Sequence, residues 1–342
     1  LLRSTAITMP SVAKTQNLLS NLVSTKILSG IQVTSHVLGG VLNIGTFPLL
    51  SSVIPKNSKY RMRQVSGEAA IRGMNTAVLW SPFFVSFAVG QLYLPSQSAW
   101  LGIAFGLLVA LLFNLISIRF LIGKFTLSYL FEAVSCVKPI FPRLLILSLS
   151  VLAVGQIFDK TALNAIVIVI PILVVVQMFR RPETTKSIIS NLNNLILKSG
   201  DEMLLISVSM FLGSILSGSV EIQTFISNNI GNNFPFWAMI ILLPLIVWIF
   251  GLIGIHPIIT SAPILSLFGP LLSLWEAAFL MQAHLIGWCA GTATSFTSLS
   301  VLTTAENFRL SVLKLVFGPN LIATGSLTVI GALLLIALNY FL

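Results

Sequence analysis

Long apolar runs dominate the chain, separated by short polar interruptions. Ten can be marked, at roughly 31–54, 76–94, 99–122, 144–158, 161–179, 202–220, 236–254, 257–275, 280–303 and 317–341. Most run to about 18–24 residues, enough for a helix to cross a hydrocarbon core of about 30 Å. They are continuous, not alternating, which argues against barrel strands of about ten residues. The pattern predicts an all-α, polytopic transmembrane protein of about ten spans. Residues 1–30, 124–142 and 184–200 mix apolar with charged positions and predict surface, interfacial or connecting helices.

Composition narrows the class. The chain is 56% hydrophobic and 8% charged, with a mean hydropathy of +0.99. A soluble domain carries about 25% charged residues, so a soluble enzyme is excluded. The net charge of +10 comes from 19 basic and 9 acidic residues. The basic residues cluster between apolar runs: Lys56, Lys59, Arg61, Arg63 and Arg72, then Arg119, Lys124, Lys138 and Arg143, then Arg180, Arg181, Lys186 and Lys198, then Arg309 and Lys314. Retention of Lys and Arg on the cytoplasmic side explains all four clusters and removes the need for a nucleic-acid partner. Cys136 and Cys289 have no metal-ligand spacing, and His36, His256 and His284 form no HExxH pattern. No phosphate-binding loop and no nucleophile–base constellation stands out, so the chain is not expected to be an enzyme. Asp201, Glu202, Glu276 and Glu306 all read as interfacial. The absence of an intramembrane acid pair counts against a proton antiporter.

The last third of the chain echoes the first. His36 and His256 each open a polar-interrupted span, and Leu101 and Leu321 each open a clean apolar helix; 256 − 36 and 321 − 101 both equal 220. Trp80-Ser81-Pro82 and Thr294-Ser295-Phe296 lie between these landmarks. The basic loops orient the two sets of spans oppositely, giving two inverted-topology repeats with broken or re-entrant helices, over residues 1–141 and 142–342. If the second begins near Pro142, its partner begins at 142 − 220 = −78, so roughly 80 residues are expected before Leu1.

Gly, Pro and small polar residues interrupt the apolar runs at matching places. Such interruptions persist at membrane depth where backbone is buried or lines a cavity. Broken helix ends can then present N–H groups to an anion or carbonyls to a cation. The candidate substrate-binding residues are His36, Asn43, Thr46 and Ser81 in the first unit, and His256, Thr260, Ser261, Thr294, Ser295 and Ser298 in the second. Asn75, Thr76, Thr292 and Thr297 belong to the same polar clusters.

Gly254-Ile255-His256-Pro257, the run Gly287 to Phe296, Arg72-Gly73-Met74-Asn75 and Trp80-Ser81-Pro82-Phe83 resemble the ion-transporter superfamily. That group includes divalent-anion symporters, citrate and arsenite permeases and the large subunit of tripartite carboxylate transporters. The resemblance implies anion transport at a midplane site. The symporter branch's paired Ser-Asn-Thr motifs are missing; Ser227-Asn228-Asn229 is the nearest sequence.

The expectation is a multi-pass secondary transporter of the cytoplasmic (inner) membrane. It moves a small organic or inorganic anion by alternating access, driven by an ion gradient. No cofactor is expected; Na+ and H+ are the candidate coupling ions. Expected partners are the anionic substrate, the coupling ion and membrane lipid, with a homodimer left open. The rivals are a flippase for a lipid or lipid-linked precursor and a non-transporting subunit of a larger complex.

Overall fold

The computed structural model describes residues 9–23, 26–55, 57–122, 127–186, 188–190, 200–228 and 234–341, and among these no strand occurs. The helices are α1 (Pro10–Ser20), α2 (Ile27–Leu42), α3 (Thr46–Ser51), α4 (Tyr60–Thr76), α5 (Val85–Tyr93), α6 (Ser96–Ser117), α7 (Leu127–Val137), α8 (Phe141–Ile157) and α9 (Ala162–Arg180). They continue with α10 (Gly200–Gly218), α11 (Val220–Ile226), α12 (Phe236–Leu252), α13 (Pro257–Phe268), α14 (Leu274–Thr294), α15 (Leu299–Phe308), α16 (Val312–Val316) and α17 (Pro319–Phe341). Five stretches are long and apolar enough to cross a membrane: Ile27–Ser51, Ser96–Ile122, Ala162–Arg180, Leu274–Phe308 and Val312–Phe341. A sixth arises if α7 and α8, bent by 69°, count as one broken span.

Most of the segment at 184–200, expected to form a connecting helix, lies outside the described residues. The expected cytoplasmic loop at 55–72 is different. Its second half is the helix α4, buried at every position from Ser66 to Thr76. The apolar run 76–94 is correspondingly not one helix. It holds the end of α4, a 3-10 turn at Ala77–Leu79, an irregular stretch and then α5. Hydropathy misses α4 because its sequence is polar. Its burial is made possible by polar partners on neighbouring helices.

Local chemistry sets the helix limits. Ser273 and Glu276 form a reciprocal capping box at the start of α14. Ser298 accepts the Val301 N–H and opens α15. Between α12 and α13 the chain passes through Gly254 at φ +89°, where a residue with a Cβ would be strained. Between α2 and α3 it passes through Asn43 at φ 51°, and Asn is among the few other residues that adopt positive φ readily.

An element order recurs. A helix, a break and a second helix (α2/α3) precede another such pair (α4/α5) and a long apolar helix (α6). The order returns as α12/α13, α14/α15 and α17. Tyr60 and Leu274 start the matching helices α4 and α14, and 274 − 60 = 214; Val85 and Leu299 start α5 and α15, and 299 − 85 = 214. The register of 220 read from the histidines therefore slips by six. His36 lies inside α2 before its break, whereas His256 caps α13 after its break.

The crossings match as well. α2 packs on α4, and α12 packs on α14. A Cβ on Gly39 would lie 2.9 Å from the Met74 Cα, and one on Gly251 would lie 2.9 Å from the Gly291 Cα. Both pairs approach so closely that only a glycine fits. One hydrophobic core joins these helices to α5, α6, α15, α16 and α17. A second, smaller core lies among α1, α2, α3, α8 and α9. The outer faces of α8 and α9 expose large apolar side chains such as Ile157 and Phe179, the side chains a lipid-facing surface requires.

Candidate functional site

The breaks in the helices meet at one cavity of about 600 Å³. Asn43 and Ile44 reach it from the break after α2. Asn75 and Val78 come from the end of α4, and Phe84 and Val85 from the start of α5. Gly254, Ile255 and His256 supply the break before α13, with Ile259 one turn on. Trp288 and Thr292 come from α14, and Thr297, Ser298, Leu299 and Ser300 from the start of α15. Ile206 of α10 completes the wall.

The wall offers neutral hydrogen-bonding groups: the amides of Asn43 and Asn75, the His256 ring and four hydroxyls. Among the described lining residues there is no Asp, Glu, Lys or Arg. The starts of α5, α13 and α15 all lie on the wall. The first turn of a helix leaves N–H groups without helical acceptors and carries the positive end of the helix dipole. Three such starts lie on the wall, alongside the C-terminal ends of the helices that precede the breaks.

The second break is held across the site. Thr292 Oγ1 lies 2.7 Å from Asn75 Oδ1 and 2.7 Å from the Trp288 carbonyl oxygen, with one hydrogen to share between them. Ser300 Oγ is 3.4 Å from the same Asn75 oxygen. Thr297 donates to the Gly254 carbonyl at 3.0 Å, and Ser298 donates to the Thr292 carbonyl at 2.6 Å. The breaks at 253–256 and 295–298 are thus tied to each other.

His256 is set up to donate. Its Nδ1 accepts the Ile258 N–H at 3.3 Å, which places the proton of the neutral ring on Nε2. The ring stands edge-on to Trp288, with centroids 5.4 Å apart. Nε2 has no acceptor among the described residues and is free for a ligand.

Of the candidates from sequence, Asn43, His256 and Ser298 line this cavity; the other seven do not. Ser295 supports the wall from behind, 3.0 Å from Thr297 Oγ1. Thr294 donates to the Ala290 carbonyl and accepts from Trp248 Nε1 at 3.2 Å. Thr260 and Ser261 both bond to the Pro257 carbonyl of their own helix. Ser81 bonds to the Gly40 carbonyl and accepts the Phe83 N–H, tying α2 to the break before α5. Thr46 is buried, and its hydroxyl has no partner among the described residues.

His36 belongs to a buried polar network. Trp80 Nε1 donates to its Nε2 at 3.2 Å, so the ring proton is on Nδ1, 3.0 Å from Thr76 Oγ1. Asn114 donates to the same hydroxyl and accepts from Gln32 Nε2, each at 2.9 Å. Gln32 Oε1 accepts from Arg72 Nε at 3.2 Å, and Arg72 Nη1 donates to Asn320 Oδ1 at 2.7 Å. The network joins α2, α4, α6 and α17 and holds polar α4 in the core.

Although two of them stand in the runs that carry the resemblance, four residues are not among the sequence's candidate site residues: Trp288, Ser300, Glu68 and Arg72. A usable signal was present for the last two. Glu68, Arg72 and Asn75 recur at i, i+4 and i+7, the spacing of one helix face, among small residues such as Ser66, Gly67 and Gly73.

No protein-family model matches the sequence, and no curated protein matches it. The class rests on the fold: a helical, multi-pass membrane protein with five to six candidate spans, built around a polar cavity between broken helices.

Proposed function

We propose that this chain is a secondary active transporter. It moves a small organic or inorganic anion across the cytoplasmic membrane by alternating access, driven by an ion gradient. The observation that carries this reading is the convergence of the helix breaks, with the starts of α5, α13 and α15, on one cavity. Unpaired backbone groups facing lipid cost several kcal/mol, about 2–7 on transfer scales. Breaks at membrane depth are therefore expected only around protein or a wet cavity. Helix starts aimed into such a cavity suit an anion. The repeated element order with its offset of 214 supports two repeat units, and inverted units are the usual architecture of such carriers. Counting each broken helix pair of the repeats as one crossing, together with α6, α9, α10, α17 and the bent α7/α8 pair, gives nine crossings among the described residues, against the ten expected.

The test is uptake of labelled anions by proteoliposomes under imposed ion gradients. His256→Ala should lower the uptake rate about tenfold or more, with an unchanged amount of folded protein. Absence of uptake across organic and inorganic anions, under every gradient, would reject the transporter reading.

A further inference from the structure

Among the described side chains, Glu68 and Arg72 are the only Asp, Glu, Lys or Arg that are buried, each 3% exposed. They lie one turn apart on α4, yet among the described residues no ion pair joins them, or joins either to another side chain, within 4.0 Å. Arg72 directs its donors to the neutral carbonyl oxygens of Gln32 and Asn320. Glu68 takes a hydrogen bond at 2.9 Å from Gln64 Nε2. Its carboxyl abuts the start of α17, where a Cβ on Gly318 would lie 3.2 Å from Oε1. Charged groups within a membrane domain are costly and are retained for a purpose.

α4 runs from an exposed end to the cavity. Tyr60 and Arg61 at its start are exposed, burial begins at Ser66, and Asn75 near its other end lines the cavity. The acid thus sits nearest the exposed end, the cation lies between, and the site comes last. The other titratable groups on α4 and the helices packed against it are Tyr60, Arg61 and Arg63 on α4, His36 on α2, Tyr93 on α5, His284 and Cys289 on α14, Glu276 at the start of α14, Glu306 on α15, Lys314 on α16 and Tyr340 on α17. None of them pairs with Glu68.

We infer that the coupling ion is a proton and that Glu68 carries it, so that this protein is an anion–proton symporter. The inference rests on the transporter reading. With the cavity empty, ionised Glu68 balances Arg72. With a monovalent anion in the cavity, the anion balances Arg72 and Glu68 takes a proton from water onto a carboxylate oxygen. The core is neutral in both states, and a state holding only one of the two ligands carries an unbalanced buried charge. Each ligand therefore raises the affinity for the other. Release on the far side returns the proton to water, one proton with each monovalent anion.

Two measurements on the full chain in liposomes separate this inference from the reading beneath it. The first is an infrared pH titration. The carbonyl stretch of a protonated carboxyl should disappear as pH rises, and this change should be missing in Glu68→Gln. An identical titration in wild type and variant overturns the assignment, whatever the protein transports. The second uses labelled nitrate, lactate and pyruvate. In Glu68→Gln, accumulation driven by a pH gradient should fall at least about tenfold, while exchange of anion for anion stays within about twofold of wild type. Retained pH-driven accumulation, or loss of exchange along with accumulation in a folded variant, also overturns it. If Glu68→Gln does not fold, Glu68→Asp takes its place; it keeps the titration and should shift its midpoint. Wild type that carries no anion refutes the transporter reading, while the infrared result still decides whether Glu68 binds a proton.

Discussion

Thr292 Oγ1 and Asn75 Oδ1 lie 2.7 Å apart, although 217 residues separate them in the chain. The contact joins α14 to α4 at the cavity wall, and Ser300 shares the same acceptor. Asn75→Ala removes that acceptor from two hydroxyls, one of them buried. A loss of about 1–3 kcal/mol is expected, read as a lower midpoint of thermal unfolding in detergent.

The helix crossings give a second test. Gly251→Ala places a Cβ 2.9 Å from the Gly291 Cα, against backbone that cannot swing away. Overpacking of this kind costs about 1–3 kcal/mol. Gly218→Ala, with nothing within 4 Å of the new carbon, should leave the unfolding midpoint within experimental error. Equal effects of the two substitutions would contradict the packing described for α12 and α14.

His36 is held at both ring nitrogens, by Trp80 and by Thr76. Trp80→Phe leaves Nε2 without its donor in a buried setting. The expected result is a destabilisation of about 1–3 kcal/mol. His36→Gln should likewise lower the unfolding midpoint while leaving the affinity for a transported anion unchanged. A selective loss of affinity at full stability would return His36 to the binding site.

Topology can be read by labelling single cysteines in intact cells. Lys59→Cys and Gln97→Cys flank the broken α4/α5 segment, and both parent residues lie just outside its helices. If that segment crosses the membrane once, with the basic Lys59 end in the cytoplasm, an impermeant reagent should reach only the cysteine at 97 from outside. Labelling of both from one side would make α4/α5 a re-entrant hairpin.

The class of the protein and the raw material of its site were legible in local sequence. Runs such as Ser96–Ile122 and Ala162–Arg180 could only be membrane-length helices, because apolar content and helix rise are local properties. Interruptions at Asn43, Gly254-Ile255-His256 and Ser295–Ser298 were equally legible, since Gly, Asn, Pro and Ser mark breaks wherever they fall. The tertiary structure decided what these interruptions face. Asn43, His256 and Ser298 reach a common cavity, whereas Thr260 and Ser261 bond to their own helix and His36 to a core network. No spacing rule separates those outcomes, because each depends on a partner far away in the chain. The burial of α4 is the clearest case. On hydropathy its Glu68 and Arg72 read as part of a cytoplasmic loop, yet Gln32, Asn114 and Asn320 on other helices satisfy its polar groups inside the core. Polarity along a chain says that a group needs a partner; only the fold decides whether that partner is water.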